Sequence, residues 1–151
     1  MIKKKPLKVV FDTNVSVSAL LWTGIPHELL KQVKLRRLKL FVTSEILYEL
    51  ENVLKREKFL KRIHHLKTTV EEIMIGFLDL VEIVKTKKSI KLKPNETPGD
   101  EDDIMFLLCA IGVNPPYLIS GDPHLLRLKM VRGVRIITPQ DFYEKRLLTV
   151  S

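Results

Sequence analysis

The stretch Leu7-Lys8-Val9-Val10-Phe11-Asp12-Thr13-Asn14 decides the fold, because it changes within one residue from strand chemistry to turn chemistry. Its first five residues are mostly apolar and β-branched in the middle, which favours a buried strand. Asp12, Thr13 and Asn14 favour turns and helix N-caps instead. The stretch therefore predicts a strand that ends just before Asp12 and leads directly into a helix, so that an acidic side chain follows the carboxyl end of the strand.

The same alternation of short apolar strands and helical segments continues along the chain. Four more strands are predicted, at residues 38–42, 81–84, 117–120 and 134–137. The clearest helix follows the second strand; Ser44 is its predicted N-cap, and its apolar stripe is Ile46, Leu47, Leu50, Val53 and Leu54. Strands that are apolar on both faces and separated by helices favour a parallel sheet covered on each side. We predict a single α/β domain over residues 1–151, a three-layer α/β/α sandwich with a central parallel, five-stranded sheet.

Composition and charge indicate which partners and which cellular compartment are compatible with the sequence. The formal net charge of +8 is compatible with a polyanionic partner such as nucleic acid and, about equally, with simple solubility. The single cysteine, Cys109, cannot form an internal disulfide, which fits a reducing compartment. The apolar segments are too short or too charged to cross a bilayer, and no signal-type segment is evident. We expect a cytoplasmic protein without a membrane partner.

Acidic residues stand where the predicted strands end. Asp12 follows the first strand, Asp122 follows the fourth, and Asp103 lies in the first turn of the helix that leads into the fourth. Each has a simple structural explanation, as a helix cap, a partner of the helix dipole or a turn former. Together they should lie at one edge of the sheet, where ligands of such folds bind. Convergent carboxylates repel one another and usually hold a hard cation.

A fourth acid can be sought on the helix after the second strand. The apolar stripe of that helix is centred near Leu50, which leaves Glu49 and Glu51 on its two flanks. Periodicity does not choose between these two glutamates, and a surface position is the simplest explanation for either.

Four motifs, in this order along nearly the whole chain, resemble the PIN domain family, named from the PilT N-terminus, and especially its toxin-like, VapC-like branch. The first resembles the opening strand and Asp-Thr-Asn of that family, and the second its helix with the second acid. The third resembles the helix with the third acid, and the fourth the strand that ends in Thr/Ser-Gly-Asp. These motifs are residues 9–14, Ser44-Glu45-Ile46-Leu47-Tyr48-Glu49-Leu50, Asp102-Asp103-Ile104-Met105-Phe106-Leu107 with Ala110, and Leu118-Ile119-Ser120-Gly121-Asp122 with Leu125-Leu126.

The resemblance implies four acids that bind metal and support catalysis, with polar help from neighbouring side chains. The acids are Asp12, Glu49, Asp103 and Asp122, and the supporting residues are Asn14 and Ser120. Asp102 stands beside Asp103 and leaves the third acid open by one position. We favour Asp103, because Leu107, Ala110 and Ile111 fall on its face of the helix and would dock it toward the sheet.

The donor set favours Mg²⁺ or Mn²⁺ over zinc, because oxygen ligands match hard cations and the four histidines are scattered as surface residues would be. The resemblance implies a metal-dependent ribonuclease that cleaves single-stranded RNA and leaves 5′-phosphate and 3′-hydroxyl ends. It also implies the toxin of a toxin–antitoxin pair, with an antitoxin protein as partner and a homodimeric assembly. Residues 85–99 form a predicted exposed basic loop, and we expect RNA to contact Lys85, Lys87, Lys88, Lys91 and Lys93.

Other classes explain the sequence less well. A haloacid-dehalogenase-like phosphatase needs an aspartate two residues after the first, where this chain has Asn14. A receiver-type signalling domain needs a phosphoacceptor aspartate after the third strand, where this chain has Val84-Lys85-Thr86. A catalytically inactive or RNA-processing PIN-fold module that binds RNA remains the alternative.

Overall fold

The strand with Val9 and Val10 lies near the middle of the sheet. A computed structural model describes residues 5–87, 89–113 and 116–147 of the chain. Within this part of the chain the sheet has six strands: β1 (Leu7–Phe11), β2 (Leu38–Val42), β3 (Val81–Ile83), β4 (Tyr117–Ile119), β5 (Met130–Val131) and β6 (Val134–Ile137). Their order across the sheet is β3-β2-β1-β4-β6-β5. All neighbouring pairs are parallel except β5 with β6.

Helices connect the strands and flank the sheet. In the described residues they are α1 (Thr13–Leu21), α2 (Ile25–Lys34), α3 (Ser44–Leu54), α4 (Glu57–His65), α5 (Val70–Leu78), α6 (Ile104–Val113), α7 (Pro123–Leu126) and α8 (Pro139–Phe142). Short 3₁₀ turns occupy Pro94–Glu96 and Glu101–Asp103, and a π-helical turn occupies Tyr143–Leu147. Together with the sheet, the helices form the predicted α/β sandwich.

β2 and β3 lie on one side of β1 in the sheet, and the later strands β4 and β6 lie on its other side. Because parallel crossovers are right-handed, this reversal places the two sets of connecting helices on opposite faces of the sheet. The strand order therefore switches between β1 and β4. A crevice forms at such a switch point beyond the carboxyl ends of the strands.

One apolar core holds these layers together. Val9, Val10 and Leu118 are completely buried in the central strands, and Leu107 of α6 is buried against the sheet. Burying each such side chain contributes roughly 1.5–3 kcal/mol. α6 packs on β1, β2 and β4, which explains why almost all of its residues are apolar. This packing brings the acidic turn before α6 to the carboxyl end of the sheet.

The structure corrects three details of the sequence interpretation. The additional strand, β5, is two residues long and pairs antiparallel at the edge of the sheet, which is too short for an alternating pattern. The helix after β2 is capped by Thr43, whose hydroxyl accepts a hydrogen bond from the Ile46 N–H at 3.2 Å, and Ser44 is its first residue. Asp103, predicted in the first turn of the helix before β4, instead ends a 3₁₀ turn, and α6 begins at Ile104.

A search of the described residues finds no helix long and apolar enough to span a membrane.

Candidate acidic metal site

Asp12 is buried at the junction between β1 and α1, with 4% of its surface exposed. Its Oδ1 accepts a hydrogen bond from the Val15 N–H at 2.8 Å and so caps α1, as the simplest interpretation of its sequence predicts. Its Oδ2 accepts a hydrogen bond from the Ser120 hydroxyl at 2.5 Å. Burial raises the pKa of Asp12, although these hydrogen bonds oppose the shift. One carboxylate oxygen of Asp12 therefore caps α1, while the other binds Ser120 at the end of β4.

Ser120 ties the ends of the two central strands together. Its side chain is fully buried just after β4, where its hydroxyl donates to Asp12 and its oxygen accepts a hydrogen bond from the Asp122 N–H at 2.9 Å. The Asp12 N–H also donates to the Ile119 carbonyl at 3.1 Å. This network holds Asp12 and the start of the Asp122 turn in one arrangement.

Asp103 ends the 3₁₀ turn before α6 and is 8% exposed. Burial raises its pKa, and the adjacent Asp122 carboxylate raises it further, to about 7; the charges of Asp100 and Asp12 act in the same direction. Its Oδ2 is buried and finds no hydrogen-bond partner within the residues that the structure describes. A buried, unpartnered carboxylate oxygen among like charges is costly unless a cation neutralises it.

Asp122 caps the short helix α7 through its Oδ1, which accepts a hydrogen bond from the His124 N–H at 2.8 Å. Nδ1 of His124 lies 3.1 Å from the same oxygen. Burial raises the pKa of Asp122, but hydrogen bonds from the His124 backbone, Asp103 and the His124 ring outweigh burial, so that the pKa is lowered. Asp103 and Asp122 thus divide one proton unequally, as close carboxylate pairs do.

Asp103, Asp122 and His124 each offer a ligand atom, and these three atoms lie within 4.8 Å of one another. Asp12 is not one of these three residues, but its charge raises the pKa of Asp103, and the charge of Asp122 raises that of Asp12. His124 was predicted to be a surface histidine, and 59% of its side chain is exposed, but its ring nitrogen also lies beside Asp122. A sequence signal for this contact was available, because His124 lies two residues after Asp122 in the first turn of a helix that begins at the same edge of the sheet.

Glu49 and Glu51, which periodicity left open, occupy different environments. Burial raises the pKa of Glu49, and the charges of Asp102 and, to a smaller extent, Asp12 raise it further. Its Oε2 is buried and lacks a hydrogen-bond partner among the described residues. Glu51 instead makes an ion pair with Lys55 at 3.0 Å on the helix surface. Glu49 is therefore the glutamate whose carboxylate is partly buried and acted on by Asp12, whereas Glu51 is paired on the helix surface.

Asp102 and Asp103 also point to different places. Asp102 is exposed, and its charge acts on Glu49, whereas Asp103 is buried and acts on Asp122. Asp102 lines an open groove of about 710 Å³ that includes Glu49 and the exposed Tyr48. The other residues that line this groove are Ser44, Glu45, Asn52, Val53, Arg56 and Met105. Asn14, a predicted supporting residue, is exposed on α1, and no described contact assigns it a role.

The basic loop is exposed at Lys85, Lys87, Lys91 and Lys93, and Lys88 lies outside the described residues. The loop is anchored at its middle by Arg132, which donates to the Lys91 carbonyl at 2.7 Å and to both carboxylate oxygens of Glu96, Nε to Oε2 at 2.9 Å and Nη2 to Oε1 at 3.0 Å. Arg132 precedes the amino end of β6, whereas Asp12 and Asp122 follow the carboxyl ends of β1 and β4. The middle of this loop is therefore attached to the end of the sheet opposite these acids.

The acid cluster at the switch point of an α/β sandwich is the arrangement expected for the PIN domain, and residues 8–124 match the family model described as PIN domain. The chain belongs to this family. Its structure is similar to a chain in the crystal structure of VapBC2 from Rickettsia felis bound to a DNA fragment from their promoter, with 16% identity and a TM-score of 0.55. The match covers 86% of this chain and 97% of that one, and at this identity it supports the fold. A search of curated protein sequences found no match.

Proposed function

We propose that this protein is a divalent-metal-dependent endoribonuclease. The observation that carries the proposal is the convergence of Asp12, Asp103 and Asp122, with an unpartnered Asp103 oxygen in the described structure. PIN domains are typically nucleases that use divalent metals. Oxygen donors in this number fit Mg²⁺ or Mn²⁺, and a cation would relieve the repulsion that raises the Asp103 pKa. The donor set therefore fits the ion that the family implies.

Each acid has a distinct part in this proposal. Asp12, Asp103 and Asp122 would hold the cation, and Glu49 would approach it from α3. A cation held by these residues would supply activation of water and stabilisation of charge on the attacked phosphate and the departing oxygen. Ser120 keeps the Asp12 carboxylate oriented by its hydrogen bond. Asp103 must give up its proton as the cation binds, because ligand carboxylates are ionised.

Single-stranded RNA is the substrate that we infer. The net charge of +8 is compatible with a polyanionic substrate despite the local acids. The groove beside Glu49 offers Tyr48, which is 70% exposed and able to stack on a base, and Arg56, which can contact a phosphate. The lysines at residues 85–93 would contact the backbone farther along the molecule. Substituting Lys85, Lys87, Lys91 and Lys93 by Gln should reduce the salt dependence of RNA binding, by a log–log slope of roughly 0.7 for each lost contact.

We further propose that the protein is the toxin of a toxin–antitoxin pair, acts in the cytoplasm and forms a homodimer. The similarity to a VapBC2 chain supports an antitoxin partner, and the single buried cysteine is compatible with a reducing compartment. A small neighbouring gene that encodes a DNA-binding protein would support the pair. Light scattering that finds a monomer over a wide concentration range would reject the dimer.

The decisive experiment is cleavage of single-stranded RNA by homogeneous protein. Cleavage should stop in excess chelator and return with Mg²⁺ or Mn²⁺. Glu49→Gln should lose activity, whereas Glu51→Gln, its matched control on the other flank of α3, should keep it. Cleavage in excess chelator would contradict the metal mechanism. RNA binding without cleavage under any metal would favour the alternative, an inactive RNA-binding module.

A further inference from the structure

His124 is held against the acid cluster in a defined position. Its Nδ1 lies 3.1 Å from Asp122 Oδ1, and its ring packs against Gly99, where an added Cβ would lie only 3.1 Å from His124 Cδ2. The segment around Gly99 is itself joined to α7, because Arg127 donates to the Thr97 carbonyl at 3.4 Å. The ring therefore has contacts on two sides, although 59% of the side chain is exposed.

An ion pair between His124 and Asp122 is the simplest explanation for this contact, but it leaves the cluster incomplete. Asp103 is more than nine-tenths buried, and its Oδ2 has no partner in the part of the chain that the structure describes. Ligand atoms of Asp103, Asp122 and His124 lie within 4.8 Å of one another. Ligands on opposite sides of a hard divalent cation are separated by roughly 4–5 Å. One cation could therefore contact all three residues after small side-chain movements.

We propose that His124 is a nitrogen ligand of the divalent cation at this site and that it makes the site prefer Mn²⁺ to Mg²⁺. Imidazole nitrogen binds transition metals well, whereas Mg²⁺ strongly favours oxygen and retains its waters. The inference rests on the proposed metal site and deepens it, because the carboxylates alone leave the choice between the two ions open.

Pulsed electron paramagnetic resonance of Mn²⁺ bound to the full chain tests the proposal directly, because a coordinated imidazole produces a characteristic ¹⁴N coupling. The wild-type protein should show this coupling. His65→Gln, which changes an exposed histidine on α4, should keep it, and His124→Gln should lose it. A competition titration should show that His124→Gln weakens Mn²⁺ binding by about 10–100-fold, at least the cost of losing an outer-shell partner, and weakens Mg²⁺ binding less.

The outcomes separate this inference from the proposed function. Bound Mn²⁺ without ¹⁴N coupling in wild type would show that His124 only supports Asp122, which overturns the inference and leaves the metal site intact. Coupling that persists in His124→Gln would also overturn it. Failure of the wild-type protein to bind Mn²⁺ at all would reject the metal site together with the ligand. The wild-type spectrum alone can reject the inference even if a variant folds poorly.

Discussion

The pKa values of two carboxylates in this chain, Glu96 and Asp103, are shifted in opposite directions. Glu96 receives both Arg132 nitrogens and the Lys93 N–H, and the Arg132 hydrogen bond is the main reason that its pKa falls to about 2. Asp103 is buried beside Asp122, and its pKa rises to about 7. In the first case the protein supplies the cation that the carboxylate needs. In the second it supplies more negative charge, as the proposed binding of an external cation requires.

The backbone contributes to this difference. Arg132 has a φ of 49° in the two-residue turn between β5 and β6, whose other residue is Gly133 with a φ of 85°. Non-glycine residues seldom adopt this left-handed conformation, which costs about 1–2 kcal/mol. This strained conformation occurs at the residue whose side chain binds Glu96. No described cation makes an equivalent ion pair with Asp103. The comparison therefore separates a structural acid from candidate functional acids by their partners.

The largest expected effect comes from changing one acid in each region. Asp122→Asn should reduce RNA cleavage by at least about 100-fold, because removing a ligand should cost more than removing an outer-shell partner. Glu96→Gln should cleave at nearly the wild-type rate, because the described partners of Glu96 are Arg132 and the Lys93 N–H, which lie outside the acid cluster. Initial rates at saturating Mn²⁺ measure both. Equal rates for Asp122→Asn and Glu96→Gln would remove the distinction between the two regions.

A smaller effect is expected from the hydroxyl that joins the strands. Ser120→Ala removes the donor to Asp12 and the acceptor for the Asp122 N–H. Affinity for Mn²⁺ should fall by about 10–100-fold, as for other outer-shell partners of metal ligands. Isothermal titration calorimetry measures the loss, and Ser89→Ala, in an exposed turn, is the control. Unchanged affinity would mean that Asp12 does not need Ser120 to bind the ion.

The smallest effect should come from the structural acid. The pKa of Glu96 is lowered in the folded state, so its ion pair contributes stability above its usual pKa of 4.5 and loses that contribution as the pH falls toward about 2. Because the pair is exposed, the contribution is modest. The difference in unfolding midpoint between wild type and Glu96→Gln should therefore shrink between pH 5 and 2. A difference that grows on acidification would contradict the assigned pairing.

Much of the fold could be predicted from the sequence, because the pattern around Val9, Val10 and Asp12 expresses burial and capping locally. The family resemblance and the sheet architecture are confirmed. The two-residue strand β5 could not be predicted, because its pairing depends on left-handed turn residues rather than on an apolar pattern. Helix α4 was not predicted either, although Phe59, Leu60 and Ile63 stand at helical spacing in its sequence.

The candidate site was predictable in type and less so in detail. Strand ends indicated Asp12 and Asp122, because parallel strands deliver their carboxyl ends to one edge. The choice between Glu49 and Glu51 needed the packing of α3, which periodicity alone does not contain. The position of His124, two residues after Asp122, was a sequence signal, and its contacts with Asp122 and Gly99 distinguish it from the other histidines. The roles of all these residues in binding metal and cleaving RNA remain predictions for the experiments above.

Thermal unfolding of wild type and Asp103→Asn, with and without Mn²⁺, tests most directly whether the acids form one metal site. The folded-state pKa of Asp103 is raised from 3.8 to about 7, so the metal-free wild type should lose stability relative to Asp103→Asn as the pH rises from about 4 to 7. Mn²⁺ should restore that stability in wild type by binding the folded state, and should have little effect on Asp103→Asn. If the two proteins have the same pH profile and the same Mn²⁺ shift, Asp103 belongs to no metal site, which contradicts the proposed acid cluster.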